Sequence, residues 1–339
     1  MTLDTASPID LITGATGLLG SHIADRLAPL GRVRALVRPG RDAGFLEALG
    51  VEIIRGDLTD PVACRVALRG VRAVYHAAAK VGDWGTWSEF QRDCLDATAN
   101  LAGAAVDAGV GRFVHISSTS AYGHPQEGGP PVDESAPLGV GLWPVWDDYT
   151  RSKVETERWL WQFSRTRSLP LTVIRPSWLY GERDRTTAPR LIARFRRGQI
   201  PIIGRGDNPL SAIYAGYVAD AAILAAANAH AIGQAYNVTD QGPITQRDYL
   251  DLWAEVTGGP KITRTHSYGV VFGVGFALEA LGRLTRRQRP PLITRYATWL
   301  MGRNLSYSNA KAREALGWSP GSGYRESIGR TVRWYDASR

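Results

Sequence analysis

The 339-residue chain has few of the residues that form disulfides or bind metals. It has two cysteines, Cys64 and Cys94, which are too few for a disulfide framework. The six histidines lack the HExxH spacing and have no cysteine partners, so we expect no protein-bound metal. The first residues show no charged leader followed by an apolar core. We therefore expect a protein of the reducing cytoplasm.

Lysine is also scarce, although 40 basic residues outnumber 32 acidic ones and give a net charge of +8. The arginines are scattered and the stacking motifs of RNA-binding modules are missing, so we expect no nucleic-acid partner. The sequence shows no transmembrane segment, because its apolar stretch at 268–281 is too short to span a bilayer. We expect this stretch either to touch a membrane peripherally or to pack over a substrate crevice.

Short β-branched runs alternate with helical patterns in the first half of the chain. Strands separated by helical stretches pair in parallel through right-handed crossovers, with the ligand crevice at their carboxyl ends. We predict an α/β fold with a doubly wound parallel Rossmann sheet and a smaller, mostly helical C-terminal substrate lobe. The dinucleotide-binding domain is expected at 1–176 plus about 212–239, and the substrate lobe at 177–211 plus 240–339. The predicted strands cover 10–13, 33–37, 51–54, 73–75, 113–117, 171–174 and 235–238.

A glycine motif, TGATGLLG, follows the first predicted strand at positions 13–20 and opens a helix. One glycine makes a tight turn, one lets the backbone approach a diphosphate, and one lets the helix pack on the strand. The amino end of the helix attracts the negative charge of the ligand. The motif therefore predicts a dinucleotide site that includes Gly14, Thr16, Gly17, Leu18 and Leu19.

The end of the second predicted strand decides between the two nicotinamide dinucleotides. Sites selective for NAD carry an acid there for the ribose 2′-hydroxyl, but this chain has Arg38, with Arg41 nearby. A guanidinium suits the 2′-phosphate of NADP, so we predict NADP, with NAD as the alternative. The competing interpretation is an exposed arginine in an arginine-rich protein.

Two further loops are predicted to contact the cofactor. Asp57, followed by Leu58, can present its carboxylate to the adenine amino group, although an aspartate in a turn is equally a turn former. After the fourth strand, small side chains stand where the cofactor crosses the sheet, at Ala77, Ala78 and Ala79.

The pair Tyr149 and Lys153 carries the predicted chemistry. Four residues apart on a helix, the phenol and the ammonium share one face. A free tyrosine ionises near about pH 10, and a neighbouring cation favours the phenolate that acid/base catalysis needs. Ser118, at the end of the fifth strand, can hydrogen-bond the reacting oxygen. Spacing alone leaves open which hydroxyl faces the crevice among Ser117, Ser118, Thr119 and Ser120.

Together these motifs resemble the extended short-chain dehydrogenase/reductases, and most of all the 3β-hydroxysteroid dehydrogenase branch and the 2-alkyl-3-oxoalkanoate reductases. The resemblance covers nearly the whole chain. It implies that Tyr149 is the catalytic acid/base, that Lys153 holds the ribose and tunes Tyr149, and that Ser118 binds the substrate oxygen. It also implies that Pro176 and Leu179 lie beside the nicotinamide. The motifs are TGATGLLG, GDLTD, HAAAKVGDWG, SSTSAYG, YTRSK, RPSWLYG, GQAYNVTD and KAREALGWSP.

One motif departs from the family pattern. Where these enzymes commonly read N-V-x-G-T-x-N on the fourth helix, this chain has Cys94 for the first Asn and Ala97 for the Gly. The change puts in doubt a supporting hydrogen bond from position 94. Ser118, Tyr149 and Lys153 are intact. The family also leads us to expect a homodimer formed through the helices that carry Asn100 and Tyr149.

Eleven tryptophans suggest a substrate with a large apolar surface. Five of them lie beside crevice motifs, and four are predicted to line the site: Trp84, Trp143, Trp146 and Trp178, with Trp87 nearby. Core filling is the competing interpretation. Arginines that can hold a carboxylate or diphosphate keep acidic substrates as an alternative: Arg183, Arg185 and Arg190.

These features predict an NAD(P)-dependent oxidoreductase that interconverts a secondary alcohol and a ketone on a hydrophobic small molecule of the 3-hydroxysteroid or 3-keto lipid type. A nucleotide-sugar epimerase or dehydratase would use the same Tyr149 and Lys153 but regenerate its bound cofactor. A protein that senses NADP without catalysis is a third alternative, which the intact Ser118, Tyr149 and Lys153 disfavour.

Overall fold

A computed structural model describes residues 8–141, 146–185, 187–239, 244–321 and 323–338. Its strands confirm the predicted ones, with ends that differ by one or two residues. In chain order they are β1 (Ile9–Thr13), β2 (Arg32–Val37), β3 (Glu52–Arg55), β4 (Val71–His76), β5 (Arg112–Ile116), β6 (Leu171–Pro176), β7 (Trp178–Tyr180), β8 (Ile202–Ile203), β9 (Pro209–Leu210), β10 (Ala212–Tyr214), β11 (Ala235–Val238), β12 (Ile244–Thr245) and β13 (Thr265–His266).

The helices fill the connections between strands in the first half and dominate the second half. A π-helical turn, Gln91–Asp96, joins the fourth and fifth helices. In chain order the helices are α1 (Leu18–Leu27), α2 (Gly44–Ala48), α3 (Pro61–Ala67), α4 (Trp87–Phe90), α5 (Ala97–Asp107), α6 (Asp148–Arg167), α7 (Ala188–Arg196), α8 (Ala215–Ala227), α9 (Gln246–Thr257), α10 (Tyr268–Leu284), α11 (Arg295–Gly302), α12 (Ala310–Leu316) and α13 (Gly323–Ala337).

The central sheet has seven strands in the order β11-β6-β5-β4-β1-β2-β3. All neighbouring strands run parallel, which confirms the doubly wound Rossmann sheet. The strand order reverses between β1 and β4, because β2 and β3 lie on one side of β1 and β4 to β6 on the other. A ligand crevice forms outside the carboxyl ends of the strands at this reversal.

Apolar side chains on both faces of the sheet explain its position inside the protein. Buried parallel strands are mostly apolar, and every residue of β1 and β6 is buried. One core cluster lies under α3, α5 and the strand residues that face them. The other continues from the opposite face of the sheet into α7, α8, α9 and α13. Since this second cluster runs through both predicted lobes, the lobes share one core.

The C-terminal lobe has more strand than its sequence predicts. Three pairs of very short strands occur among the described residues, namely β7 with β10, β8 with β13, and β9 with β12. These strands have two or three residues each, which is too short for a recognisable apolar alternation. Another correction concerns the motif at 94–100, which spans the π-helical turn and the start of α5 instead of one α-helix.

None of the helices in the described ranges is long and apolar enough to cross a membrane.

Candidate active site

The glycine turn fits against the end of β4. Gly14 has φ +71°, and a Cβ there would lie 2.7 Å from the Ala78 backbone nitrogen and 2.8 Å from the Ala77 oxygen. At Gly20 a Cβ would lie 2.2 Å from the Gly14 oxygen. The backbone of the turn can therefore lie against β4 only because side chains are missing, and this arrangement leaves the crevice open to a dinucleotide.

The amino end of α1 points its free donors at the same crevice. Gly17 caps the helix without a side-chain hydrogen bond, and its N–H donates to the Gly14 oxygen at 2.9 Å. The first N–H groups of a helix have no intrahelical partner and favour an anion. The predicted contacts Thr16 and Leu18 are half-buried beside this turn, and Leu19 is buried. The chain thus fits the diphosphate of a dinucleotide here.

The structure brings Arg38 close to Asp57, at the carboxyl ends of β2 and β3. Arg38 is exposed, while Asp57 is half-buried and accepts hydrogen bonds from the Thr59 N–H and hydroxyl, both at 2.9 Å. Burial opposes ionisation of Asp57, but the Thr59 bonds and the Arg38 charge together lower its pKa. Asp57 therefore forms a turn, and its predicted contact with adenine stays a prediction.

The remaining predicted cofactor contacts lie at strand ends near the reversal of strand order. Ala77, Ala78 and Ala79 are half-buried directly after β4. Pro176 ends β6, and Leu179 lies two residues into the short strand after it. The Leu58 carbonyl accepts a hydrogen bond from the Asn100 amide at 3.0 Å, which ties α5 to the loop after β3.

A neutral histidine fixes the floor of the crevice. The ring nitrogens of His76 lie 2.7 Å from the Thr13 hydroxyl and 2.8 Å from the Thr98 hydroxyl, so the ring links β1, β4 and α5. Burial, helped by the charge of Lys153, lowers the pKa of His76 to about 3. Thr98 belongs to the motif in which Cys94 replaces an asparagine, and Cys94 itself is buried in the π-helical turn.

Tyr149 and Lys153 share one face of α6, as predicted. The Lys153 ammonium lies 5.9 Å from the centre of the Tyr149 ring, and the lysine is buried. Asp147 begins the helix by accepting the Thr150 N–H at 2.9 Å, and it also contacts a ring nitrogen of His124 at 2.9 Å. The buried cap fixes the first turn of α6, which holds Tyr149.

Ser118 begins a short chain of hydroxyl groups. It lies directly after β5 and donates to the Ser120 hydroxyl at 3.2 Å. The Ser120 hydroxyl in turn lies 2.9 Å from the hydroxyl of Tyr296. Ser117 is not part of this hydroxyl chain, because its hydroxyl donates to the Glu157 carboxylate at 2.6 Å. Of the hydroxyls left open by the sequence, Ser118 is half-buried and the others are buried.

Tyr296 is a site residue that sequence reasoning missed. It lies on α11, and its ring packs edge-on against Tyr149 with ring centres 5.3 Å apart. Burial, reinforced by Tyr149 and Asp147, raises the pKa of Tyr296 well above its ordinary value, so it keeps its proton at neutral pH. No local motif surrounds it, because its contact with Ser120 spans 176 residues of sequence.

A buried ionic network supports α6 beneath the site. The Glu157 carboxylate accepts hydrogen bonds from Arg175 at 2.5 and 3.0 Å, and both side chains are buried. Arg175 also donates to the Tyr122 hydroxyl at 2.7 Å, which donates to Asn237 at 2.7 Å. The network joins α6, β6 and β11 to the segment that follows Ser118.

The predicted lining tryptophans have different surroundings, and Trp143 lies outside the described residues. Trp146 packs on Phe272 of α10 with ring centres 5.8 Å apart. The Trp84 indole donates to the Arg287 carbonyl at 3.0 Å and covers Gly282. Trp178 contacts the Tyr249 ring. Trp87, which is predicted to lie near the lining tryptophans, contacts the Arg151 guanidinium.

Two of the three arginines proposed for an acidic substrate, Arg183 and Arg185, have partners within the protein. Arg183 donates to the Ser21 hydroxyl at 2.9 Å, and Arg185 pairs with Asp42 at 3.0 Å. These contacts direct both guanidinium groups towards α1 and the loop after β2.

A family model described as the NAD dependent epimerase/dehydratase family matches residues 11–239. The chain belongs to the NAD dependent epimerase/dehydratase family. The matched segment extends from β1 to the end of β11 and includes the glycine turn, Ser118, Tyr149 and Lys153.

Two relatives within this family match almost the whole chain. A 2-alkyl-3-oxoalkanoate reductase from Stenotrophomonas maltophilia is 30% identical over 330 residues, which cover 94% of this chain and 97% of that one. A 3 beta-hydroxysteroid dehydrogenase/Delta 5→4-isomerase from Mycobacterium tuberculosis is 29% identical over 330 residues, covering 91% and 85%.

A solved structure shares the fold. UDP-glucuronic acid 4-epimerase from Bacillus cereus, in complex with NAD, matches with a TM-score of 0.74 and 19% identity over 97% of this chain and 99% of that one. The family and these relatives show that the chain is an NAD(P)-dependent oxidoreductase.

Proposed function

We propose that the protein is an NADP-preferring reductase that interconverts a ketone and a secondary alcohol on a hydrophobic molecule of the 3-keto lipid or 3-hydroxysteroid type. One observation carries the proposal. Tyr149 lies close to the buried Lys153 ammonium, which is 5.9 Å from its ring centre, and to the Tyr296 ring, whose centre is 5.3 Å away. Two relatives named as a ketoacid reductase and a hydroxysteroid dehydrogenase support the substrate class.

Ser118, Tyr149 and Lys153 have separate roles in the proposed carbonyl reduction. Ser118 and Tyr149 donate hydrogen bonds to the carbonyl oxygen, and this polarises the carbon. The nicotinamide, when bound, supplies the hydride equivalent to that carbon. Tyr149 transfers its proton to the oxygen as the alcohol forms, and the Lys153 ammonium stabilises the phenolate that remains. In the oxidising direction, the Tyr149 phenolate accepts the proton.

Arg38 supports the preference for NADP. It stands exposed directly after β2, where an acid would bind the ribose 2′-hydroxyl of NAD, and no acid occupies that position. A guanidinium there can pair with the additional phosphate of NADP.

Aromatic side chains near the site support an apolar substrate. Trp146 lies three residues before Tyr149 and packs on Phe272 of α10, and Trp84 covers Gly282 of the same helix. Such walls bury a large apolar area and suit an alkyl chain or a steroid ring system.

The test is a reductase assay with NADPH and either a 2-alkyl-3-keto acid or a 3-ketosteroid. The measured signal is the loss of reduced nicotinamide. Tyr149→Phe removes the proton donor and should lower turnover by about 10² or more. NADPH binding, followed by tryptophan fluorescence, should stay near that of the parent. Residual turnover within about tenfold of the parent would contradict the assignment of Tyr149.

The cofactor preference has its own measurement. Arg38→Ala should weaken NADPH binding by about tenfold or more, because a charge-assisted contact is lost, and should leave NADH binding unchanged. Arg333→Ala, an exposed arginine on α13, is the control. A protein that prefers NADH, or that is purified with bound NAD, would overturn the NADP proposal. Turnover of a nucleotide sugar without net change in reduced nicotinamide would assign an epimerase or dehydratase instead.

A further inference from the structure

Helix α10 has an apolar face that is turned away from the rest of the protein. The 17-residue helix packs inward through Val271, Gly275, Glu279 and Gly282, which are all buried. The opposite side carries four apolar side chains that remain exposed, namely Val270 (62%), Val274 (43%), Leu281 (58%) and Leu284 (82%). Their spacing of three, four and seven residues places them on one stripe.

The inward face of α10 is firmly packed, so the exposed stripe is a property of the folded protein. Gly275 lies against the backbone of Thr294 and Arg295, where a Cβ would meet atoms at 3.1 Å. Glu279 accepts a hydrogen bond from the Arg295 side chain at 2.7 Å, and both side chains of this pair are largely buried. Gly282 lies against the Trp84 ring.

The charge around this stripe has one sign. Residues 268–292 contain a single acid, Glu279, whose carboxylate is buried and paired. Four exposed arginines follow the apolar stretch, and within the described residues none of them forms an ion pair. Burial raises the pKa of Asp148, and the charge of Arg283 offsets only part of this rise. Leu292 continues the apolar surface and is 71% exposed. The four are Arg283, Arg286, Arg287 and Arg289.

We propose that this surface, defined as the exposed stripe of α10 with Leu292 and the four arginines, binds an anionic phospholipid bilayer. A helix of this length is about 25 Å long and would lie in the plane of the interface. Its apolar stripe enters the acyl boundary, while the guanidinium groups pair with lipid phosphates. A second copy of the chain fits less well, since a twofold interface would gather the same arginines from both subunits without an opposing exposed acid.

The inner side of α10 connects this surface to the site. Phe272 contacts Trp146, and Arg295, which pairs with the helix, precedes Tyr296 in the chain. Docking therefore holds the aromatic wall of the site next to the bilayer. The inference that an apolar substrate passes from the bilayer to the site rests on the proposed function. The docking of the protein on the bilayer does not depend on that function.

The test is flotation of the full-length protein with vesicles of phosphatidylcholine, alone or with about one-third phosphatidylglycerol. Leu281→Asp combined with Leu284→Asp places charges on the stripe without disturbing buried residues. Leu30→Asp is the matched control, because Leu30 is 74% exposed in the turn after α1. Arg286→Ala combined with Arg287→Ala tests the charge separately.

We expect the parent and Leu30→Asp to float with anionic vesicles, and the double Asp variant to partition about tenfold more weakly or worse. The double Ala variant should bind anionic vesicles more weakly, and added salt should weaken the parent. Absence of flotation by the parent, or equal flotation of the double Asp variant, would overturn the proposal. So would a dimer in sedimentation that the Asp variant loses while no form binds vesicles.

Activity separates this proposal from the proposed function. With a water-soluble ketone and no vesicles, the double Asp variant should match the parent, because the stripe does not touch the site. Reductase activity without vesicle binding would refute the docking alone. Vesicle binding without reductase activity would refute the proposed function alone.

Discussion

At the scale of single residues, the C-terminal lobe contributes the Tyr296 hydroxyl to the proposed catalytic centre. The hydroxyl chain from Ser118 through Ser120 to Tyr296 fixes the orientation of Ser118, since each hydroxyl has a partner in line. The contacts of Tyr296 with Ser120 and Tyr149 lead us to expect a role on the substrate side of the site. The hydroxyl chain is therefore complete only when α11 is packed on the Rossmann domain.

Removal of the Tyr296 hydroxyl should affect turnover more than cofactor binding. Tyr296→Phe keeps the ring against Tyr149 but leaves Ser120 without that partner, and loss of one such bond corresponds to about 1 kcal/mol. We expect kcat/KM to fall by about fivefold to tenfold, with unchanged NADPH affinity. Tyr268→Phe is the control, because the buried Tyr268 hydroxyl has no partner within the described residues. Equal losses in both variants would show a merely structural effect.

At the scale of elements, α6 must hold Tyr149 and Lys153 against the end of β5. The buried Glu157–Arg175 pair fixes the helix two turns after Tyr149, and the Ser117 hydroxyl binds the same carboxylate. Because Ser117 precedes Ser118, one ionic network supports both the helix with Tyr149 and the segment with Ser118 in the proposed catalytic centre.

Neutralising Glu157 should destabilise the protein strongly. Glu157→Gln leaves the buried Arg175 without its counter-charge and should lower the free energy of unfolding by about 3–5 kcal/mol. Urea denaturation measures this loss. Glu155→Gln, which removes the partner of the partly exposed Arg151 on the same helix, should cost less than about 1 kcal/mol. A variant that combines Glu157→Leu with Arg175→Met removes both charges and should recover much of the stability. If this variant lost as much free energy of unfolding as Glu157→Gln, the unpaired Arg175 charge would not explain the loss.

At the scale of the whole molecule, buried neutral histidines make the fold sensitive to acid. Burial lowers the pKa of His22, His76 and His115, and the His115 Nδ1 atom has no hydrogen-bond partner in the described part of the chain. The unfolded chain binds protons at these rings near about pH 6.5, whereas the folded chain does not. Their contribution to stability is therefore present above that pH and is lost as the pH falls through the lowered pKa values of the folded protein.

Stability should decline between about pH 6.5 and pH 5, with each of these histidines contributing about 1.4 kcal/mol per pH unit. Burial raises the pKa of Asp83, so the folded chain binds a proton there at a higher pH than the unfolded chain does. Asp83 therefore opposes the loss of stability in acid. His115→Phe should reduce the change in the free energy of unfolding with pH by about 1.4 kcal/mol per pH unit, the contribution of one histidine. Urea denaturation at several pH values measures this change. The exposed His230→Asn is the control. An unchanged slope in His115→Phe would contradict the role of buried histidines.

The sequence by itself determined the Rossmann sheet, the glycine turn and the pairing of Tyr149 with Lys153. These features are local: a strand pattern, a glycine series between a strand and a helix, and a spacing of four on one helix all act over a few residues. The family of the chain follows from the same motifs. The dimer and the individual cofactor contacts stay predictions.

The tertiary structure alone decided the rest of the site. Tyr296 reaches Ser120 across 176 residues, and Arg175 meets Glu157 only because β6 lies beside the middle of α6. The exposed stripe of α10 likewise depends on which side of the helix packs on the protein, since both sides of the sequence pattern are apolar. Contacts of this kind arise from packing between distant elements, and no local pattern in the sequence encodes them.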